Sequence, residues 1–137
     1  SLHDHTYIWD IIMGSCAVTH DSHTPIKNSQ QKYYGDIPLS IYNINCPIGV
    51  IATGDQFIED AWKTKELAEK WYAAVDMECW SIARVAQKFD VEMIALKSFS
   101  DQADDEANTD VEMNLQIAID NMCQVLQKLI TILKACP

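Results

Sequence analysis

The sequence is poor in basic residues and lacks long apolar runs. Lysine and arginine number 10 against 20 aspartates and glutamates, which gives a formal net charge of −10 at pH 7. A surface this acidic repels phosphate backbones and anionic lipid, so we expect no nucleic-acid or membrane partner. No apolar run approaches the about 18 residues that a membrane-spanning helix requires, and no secretory leader pattern opens the chain. We therefore expect a cytoplasmic protein.

The cysteines and histidines do not form the patterns of a disulfide framework or a zinc site. The five cysteines are an odd number, are widely spaced and include no C-x-x-C pair, which favours reduced thiols. The histidines give only H-x-H and H-x-x-H spacings, without accompanying cysteines or carboxylates. We interpret them as surface histidines and expect no metal site. The four are His3, His5, His20 and His23.

Apolar, β-branched segments alternate with segments of helical periodicity along 137 residues, a length that suits one domain. Strands are predicted over Tyr7–Val18, Cys46–Thr53, Trp71–Val75 and Val91–Phe99. Helices are predicted over Glu59–Lys70, Asp76–Phe89 and from Thr109 onward, the last with a long apolar stripe. This alternation predicts an α/β fold. The fourth strand is apolar on both faces at its start, which favours a parallel strand covered on both sides.

In parallel α/β sheets, ligands bind beyond the carboxyl ends of the strands. Polar or acidic groups follow three of the predicted strands here. The second strand leads through Gly54-Asp55 to Phe57 and Ile58, the third leads to Met77 and Glu78, and the fourth leads to Ser100 and Asp101.

Two of these acids have more than one interpretation on position alone. Asp101 is either a solvated or helix-capping loop acid or a carboxyl with a raised pKa that can donate a proton. Glu78 either stabilises a helix N-terminus through the dipole or offers two acceptor oxygens to vicinal sugar hydroxyls. A calcium loop starting at Asp101 is not expected, because Ala103 and Glu106 stand where it needs an oxygen ligand and a glycine.

Four segments together resemble the nucleoside phosphorylase/nucleosidase superfamily, and its 5′-methylthioadenosine/S-adenosylhomocysteine nucleosidase branch most closely. They are IWDIIMGSCAVTHD (Ile8–Asp21), GVIATGDQFI (Gly49–Ile58), AVDMECWSIARVAQKF (Ala74–Phe89) and IALKSFSDQAD (Ile94–Asp104). The resemblance implies an α/β three-layer sandwich around a mixed, partly barrel-like sheet. It also implies hydrolysis of the N-glycosidic bond of a 5′-substituted adenosine, with release of adenine and without a cofactor.

The resemblance also implies a role for each matching residue. Asp101 would be the catalytic acid that protonates the purine at N7, and Ser100 would orient it. Glu78 would hold the ribose 2′- and 3′-hydroxyls, while Met77 would pack under the sugar. Phe57 and Ile58 would line the adenine.

The family has an N-terminal portion, with a glycine-rich turn and the acid that activates water, that nothing in this sequence matches. We therefore expect residues 1–137 to be the C-terminal portion of a single domain, incomplete alone. Lys97 stands where the family usually has arginine, Trp80 replaces a small residue and Thr19 replaces an aromatic, which leaves the 5′ group open. The family usually forms homodimers, for which the loop Thr19–Tyr34 is our candidate contact.

Two alternative functions stay open at this point. One is a phosphorolytic relative that uses phosphate in place of water. The other is a non-catalytic nucleoside-binding or storage protein that retains the fold.

Overall fold

The structure, a computed structural model, describes residues 11–21, 46–100 and 107–135, with side chains of the last segment from residue 114 onward. The strands and helices alternate as the sequence predicts, with bounds that differ by a few residues. The strands are β1 (Ile11–Thr19), β2 (Ile48–Thr53), β3 (Tyr72–Asp76) and β4 (Ala95–Ser98). The helices are α1 (Ala61–Glu69), α2 (Cys79–Lys88) and α3 (Ala107–Ala135). Residues 7–10 of the predicted first strand lie outside the described part.

The four strands form one mixed sheet in the order β3-β2-β1-β4. β1, β2 and β3 are parallel, and their last residues Thr19, Thr53 and Asp76 lie level with one another. β4 runs antiparallel to β1, with Ser98 opposite Ile11. The prediction of a parallel fourth strand is therefore wrong.

The other half of that prediction, cover on both faces of β4, agrees with the structure. Ala95 packs in a cluster with Cys79 and Ala83 of α2. Leu96 packs against the cluster of Met13 and Leu129, the latter from α3. Burial on two sides is thus compatible with either strand direction, and the apolar run alone could not decide between them.

The sheet is curled into a half-barrel, because its two edge strands contact each other. Lys97 of β4 forms an ion pair with Asp76 of β3. Phe99, just after β4, shares a buried cluster with Ile12 and with Ala74 of β3. The carboxyl end of β4 therefore lies beside that of β3 despite its reversed direction. The predicted fold class, an α/β structure around a mixed, partly barrel-like sheet, is confirmed.

Helix α1 fixes the segment that leads out of β2. Asp60 caps the helix, since its Oδ1 accepts hydrogen bonds from the amides of Trp62 (2.7 Å) and Lys63 (3.4 Å). Leu67 is fully buried against Ile58. The position of Ile58 is thus set by the packing of α1.

Helices α2 and α3 bury only part of their apolar surface among the described residues. In α2, Cys79 and Ala83 are buried, whereas Ile82 and Phe89 of the predicted apolar face are 56% and 69% exposed. In α3, Ala118 and Leu129 are buried, but other members of the apolar stripe are half-exposed. Within the described segments, no helix combines the length and the apolar character needed to cross a membrane.

Candidate active site

A cavity of about 230 Å³ opens between the carboxyl ends of β3 and β4 and the segment that follows β2. Five of the six residues singled out from the sequence line it, namely Phe57, Ile58, Met77, Glu78 and Ser100. The sixth, Asp101, lies outside the described residues and directly follows Ser100. The cavity thus joins residues up to 44 positions apart, Gln56 to Ser100, and the roles of the residues singled out from the sequence stay predictions.

The cavity combines an apolar wall with an accessible carboxylate. Ile58 is buried, while Phe57 and Met77 are 48% and 44% exposed and present apolar surface at the opening. Glu78 is exposed and also lines the cavity. An apolar wall with a few polar groups is the usual composition of a small-molecule site.

The interpretation of Glu78 as an acid favoured by the helix dipole stays open, because the residue lies at the N-terminus of α2. Glu78 occupies the N-cap position of α2, but its side chain makes no capping hydrogen bond. Its backbone carbonyl accepts bonds from Ser81 Oγ (2.9 Å) and from the amide of Ile82 (3.1 Å). Other side chains bind the first amides of the helix, and the Glu78 carboxylate makes no capping bond there.

Those groups are Asp76 and Thr53, which the sequence interpretation did not single out. Asp76 Oδ2 accepts from the amide of Cys79 at 3.1 Å, and Thr53 Oγ1 accepts from the amide of Trp80 at 3.0 Å. Thr53 Oγ1 also donates to Asp76 Oδ1 at 2.6 Å. An Asp three residues before the first helical amide was the available signal for this cap.

Asp76 also carries the ion pair that closes the curled sheet. Its side chain is 8% exposed, and Lys97, its partner, is 29% exposed. A carboxylate this buried is stable only with charged or hydrogen-bonding partners, and here it has three: Thr53, Cys79 and Lys97. Burial, followed by the nearby Asp76 charge, raises the pKa of the Cys79 thiol to about 11.

His20 and Asp21 brace the turn that follows β2. Asp21 Oδ2 accepts from the amide of Asp55 at 2.6 Å, and a side chain added at Gly54 would collide with the His20 ring. Burial lowers the pKa of His20, and neither of its ring nitrogens has a hydrogen-bond partner among the described residues. The prediction of a surface histidine is wrong at this position, because the ring packs over Gly54. His3, His5 and His23 lie outside the described residues.

The described part of the chain contains no group of three or more histidine, cysteine or acidic side chains placed to hold a metal ion. The four cysteines described are thiols.

Comparison with known proteins identifies the class to which this fold and site belong. The model of the family described as the phosphorylase superfamily matches residues 1–131. The chain therefore belongs to the phosphorylase superfamily.

Curated and solved relatives point to its nucleosidases. The chain is 39% identical over 83 residues to the aminodeoxyfutalosine nucleosidase of Helicobacter pylori, covering 60% of this chain and 36% of that protein. It is 32% identical over 93 residues to the 5′-methylthioadenosine/S-adenosylhomocysteine nucleosidase of an Exiguobacterium strain, covering 66% and 40%.

A crystal structure of Helicobacter pylori 5′-methylthioadenosine/S-adenosylhomocysteine nucleosidase, in complex with a pyrrolidine-based ligand, superimposes with a TM-score of 0.85 at 28% identity. It covers 96% of this chain and 64% of the solved chain. The chain thus spans less than two thirds of the length of these relatives.

Proposed function

We propose that this chain forms the base- and sugar-binding part of a nucleosidase. The proposed reaction is hydrolysis of the N-glycosidic bond of a 5′-methylthioadenosine- or S-adenosylhomocysteine-type nucleoside, with release of adenine. The observation that carries the proposal is the cavity where β3 and β4 meet, since it gathers Phe57, Ile58, Met77, Glu78 and Ser100. The names of the similar nucleosidases support the reaction class.

In the proposed complex the two sides of the cavity have different tasks. Phe57 and Ile58 line the adenine. Met77 packs under the ribose, and the two oxygens of Glu78 accept hydrogen bonds from its 2′- and 3′-hydroxyls. The exposure of the Glu78 carboxylate and the absence of a capping bond to it support this assignment.

Asp101 is the proposed general acid, and Ser100 orients it. Protonation of the purine at N7 makes adenine a better leaving group while the sugar develops positive charge. A carboxyl that does this near neutral pH needs an environment that keeps its proton. Its support is its place directly after Ser100, which lines the cavity.

The experiment is adenine release from 5′-methylthioadenosine by wild type and the Asp101→Asn variant. The assay uses the protein at its full natural length, because we propose that residues 1–137 are the C-terminal portion of one domain and that the water-activating acid lies outside them. Loss of general acid catalysis lowers kcat by about 10²–10⁴-fold. Asp105→Asn, in the same acidic stretch, is the matched control and retains activity. Wild-type turnover by Asp101→Asn would refute the assignment.

The 5′ group and the attacking nucleophile require separate measurements. The relatives include nucleosidases named for 5′-methylthioadenosine and S-adenosylhomocysteine and others named for aminodeoxyfutalosine, so all three nucleosides are tested as substrates. Adenine release that does not depend on phosphate supports hydrolysis. Strict phosphate dependence identifies a phosphorolytic enzyme instead, and binding without turnover identifies a nucleoside-binding protein.

We also propose a cytoplasmic homodimer in which the loop Thr19–Tyr34 contacts the partner near the 5′ end of the substrate. Residues 22–34 of that loop lie outside the described part. Sedimentation of wild type and of a variant with charge reversals in this loop tests the contact. A loop variant that remains dimeric with unchanged substrate affinity would contradict it.

A further inference from the structure

We propose that Asp76 and Lys97 form a positioning pair that holds the Met77–Glu78 turn in place against the end of β4. This inference rests on the proposed nucleosidase function and assigns a task to two residues outside the set predicted from the sequence. Neither is proposed to act on the substrate directly. They act through the geometry of the sugar-binding residues.

The first observation is that the Met77–Glu78 turn is anchored at both ends by one hydrogen-bonded unit. On its N-terminal side, Asp76 is held by Thr53 Oγ1 at 2.6 Å. On its C-terminal side, the amides of Cys79 and Trp80 are bound by Asp76 Oδ2 and Thr53 Oγ1, at 3.1 and 3.0 Å. Two residues between such anchors have little freedom to move, and both line the cavity.

The second observation is that Lys97 connects this anchored turn to the opposite wall. Lys97 immediately precedes Ser98, and Ser98 and Ser100 line the cavity. The ion pair between Lys97 and Asp76 joins β4 to β3, the two edge strands of the sheet, which have no backbone pairing with each other. The pair therefore sets the distance between the sugar contact at Glu78 and the segment that carries Ser100.

Burial of Asp76 makes loss of its ion pair with Lys97 costly. The Asp76 side chain is only 8% exposed, so its charge cannot be stabilised by water when a partner is removed. The pairs of Glu66 with Lys63 and Lys70 on α1 differ in their carboxylate, since the Glu66 side chain is 31% exposed and water can stabilise its charge. Surface pairs of that type contribute little, because water and salt screen them. They provide an internal control for loss of an ion pair.

The test compares Asp76→Asn, Lys97→Met and Lys97→Arg with Glu66→Gln in the protein at its full natural length. Displacement of a reacting group by about 1 Å costs about 10²-fold in rate, so the first two variants should lose about 10–10²-fold in kcat/KM for adenine release. Lys97→Arg keeps the charge and should retain most of the activity, and Glu66→Gln should behave as wild type. The double variant Asp76→Asn/Lys97→Met should lose no more than the worse single variant.

A second readout separates positioning from general loss of structure. Positioning concerns the sugar contact, so binding of free adenine, measured by calorimetry, should be unchanged while binding of the nucleoside weakens. If the variants lost affinity for adenine and for the nucleoside to the same extent, the pair would stabilise the whole cavity and the positioning proposal would be wrong. Activity of Asp76→Asn and Lys97→Met equal to that of Glu66→Gln would overturn it as well.

Failure of the nucleosidase proposal gives a different result. If wild type releases no adenine, the proposed function is wrong, and amide hydrogen exchange then decides on the positioning pair. The amides of Cys79 and Trp80 should lose protection in Asp76→Asn and Lys97→Met, while the amide of Leu67 keeps its protection. Unchanged exchange at Cys79 and Trp80 would refute the pair.

Discussion

Replacement of Thr53 by valine removes one hydroxyl that connects two strands and a helix. Thr53 is 5% exposed, and valine has nearly the same shape, so packing is preserved. The hydroxyl donates to Asp76 Oδ1 at 2.6 Å and accepts from the amide of Trp80 at 3.0 Å. An unsatisfied buried amide costs about 1–3 kcal/mol, and a hydrogen bond to a charged group contributes about 1.5–3 kcal/mol. We expect Thr53→Val to lower the free energy of unfolding by about 3 kcal/mol.

Urea denaturation followed by circular dichroism measures this change. With an m-value of about 1–3 kcal/mol/M, the midpoint should fall by about 1 M or more at unchanged slope. Thr131→Val on α3 is the matched control, because this exposed hydroxyl only donates to the carbonyl of Gln127, at 2.8 Å. Such a surface change usually stays within about 0.5 kcal/mol. Equal losses in the two variants would show that the Thr53 hydroxyl contributes no special stability.

Two further predictions concern backbone packing and a buried thiol. A Cβ added at Gly49 would collide with the Cβ of Ala73 on the neighbouring strand, so Gly49→Ala should cost about 1–3 kcal/mol. The melting temperature measures this loss, and it should partly recover in Gly49→Ala/Ala73→Gly; no recovery would contradict the proposed collision. Burial raises the pKa of the Cys79 thiol from 9.0 to about 11, so exposed Cys123 should be alkylated first in a mass-spectrometric time course at pH 8. Equal alkylation rates for Cys79 and Cys123 would contradict the raised pKa of Cys79. The Cys79 thiol ionises at a lower pH in the unfolded chain than in the folded protein, so the free energy of unfolding should fall as pH rises from 9.0 towards about 11.

Most of the residues that line the cavity could be predicted from the sequence, because they directly follow predicted strands. The rule that ligands bind at the carboxyl ends of strands pointed to Phe57, Met77 and Ser100, and all three line one cavity. For the end of β4 the rule led to the same cavity although the strand is antiparallel. Curling of the sheet, not a shared strand direction, brings Ser100 to the end of β3.

The bonds of Asp76 with Thr53 and Lys97, beside the cavity, could not be predicted from the sequence. Asp76 was treated as the start of a helix and Thr53 as the end of a strand, because nothing local connects them. Their bond spans 23 positions of the chain. The ion pair between Asp76 and Lys97 depends on the contact between two edge strands. Hydrophobic periodicity indicates whether a segment is a helix or a strand and which of its faces is buried. It contains no information about pairs of residues far apart in the chain.

The sequence by itself determined the order and type of the strands and helices, because apolar spacing and turn residues act over a few positions. The four matched segments also pointed to the family whose model matches residues 1–131. Only the tertiary structure decided the direction of β4, the curl of the sheet and the partners of the buried Asp76 carboxylate. These depend on side chains far apart in the chain, whose contacts form only when the sheet curls.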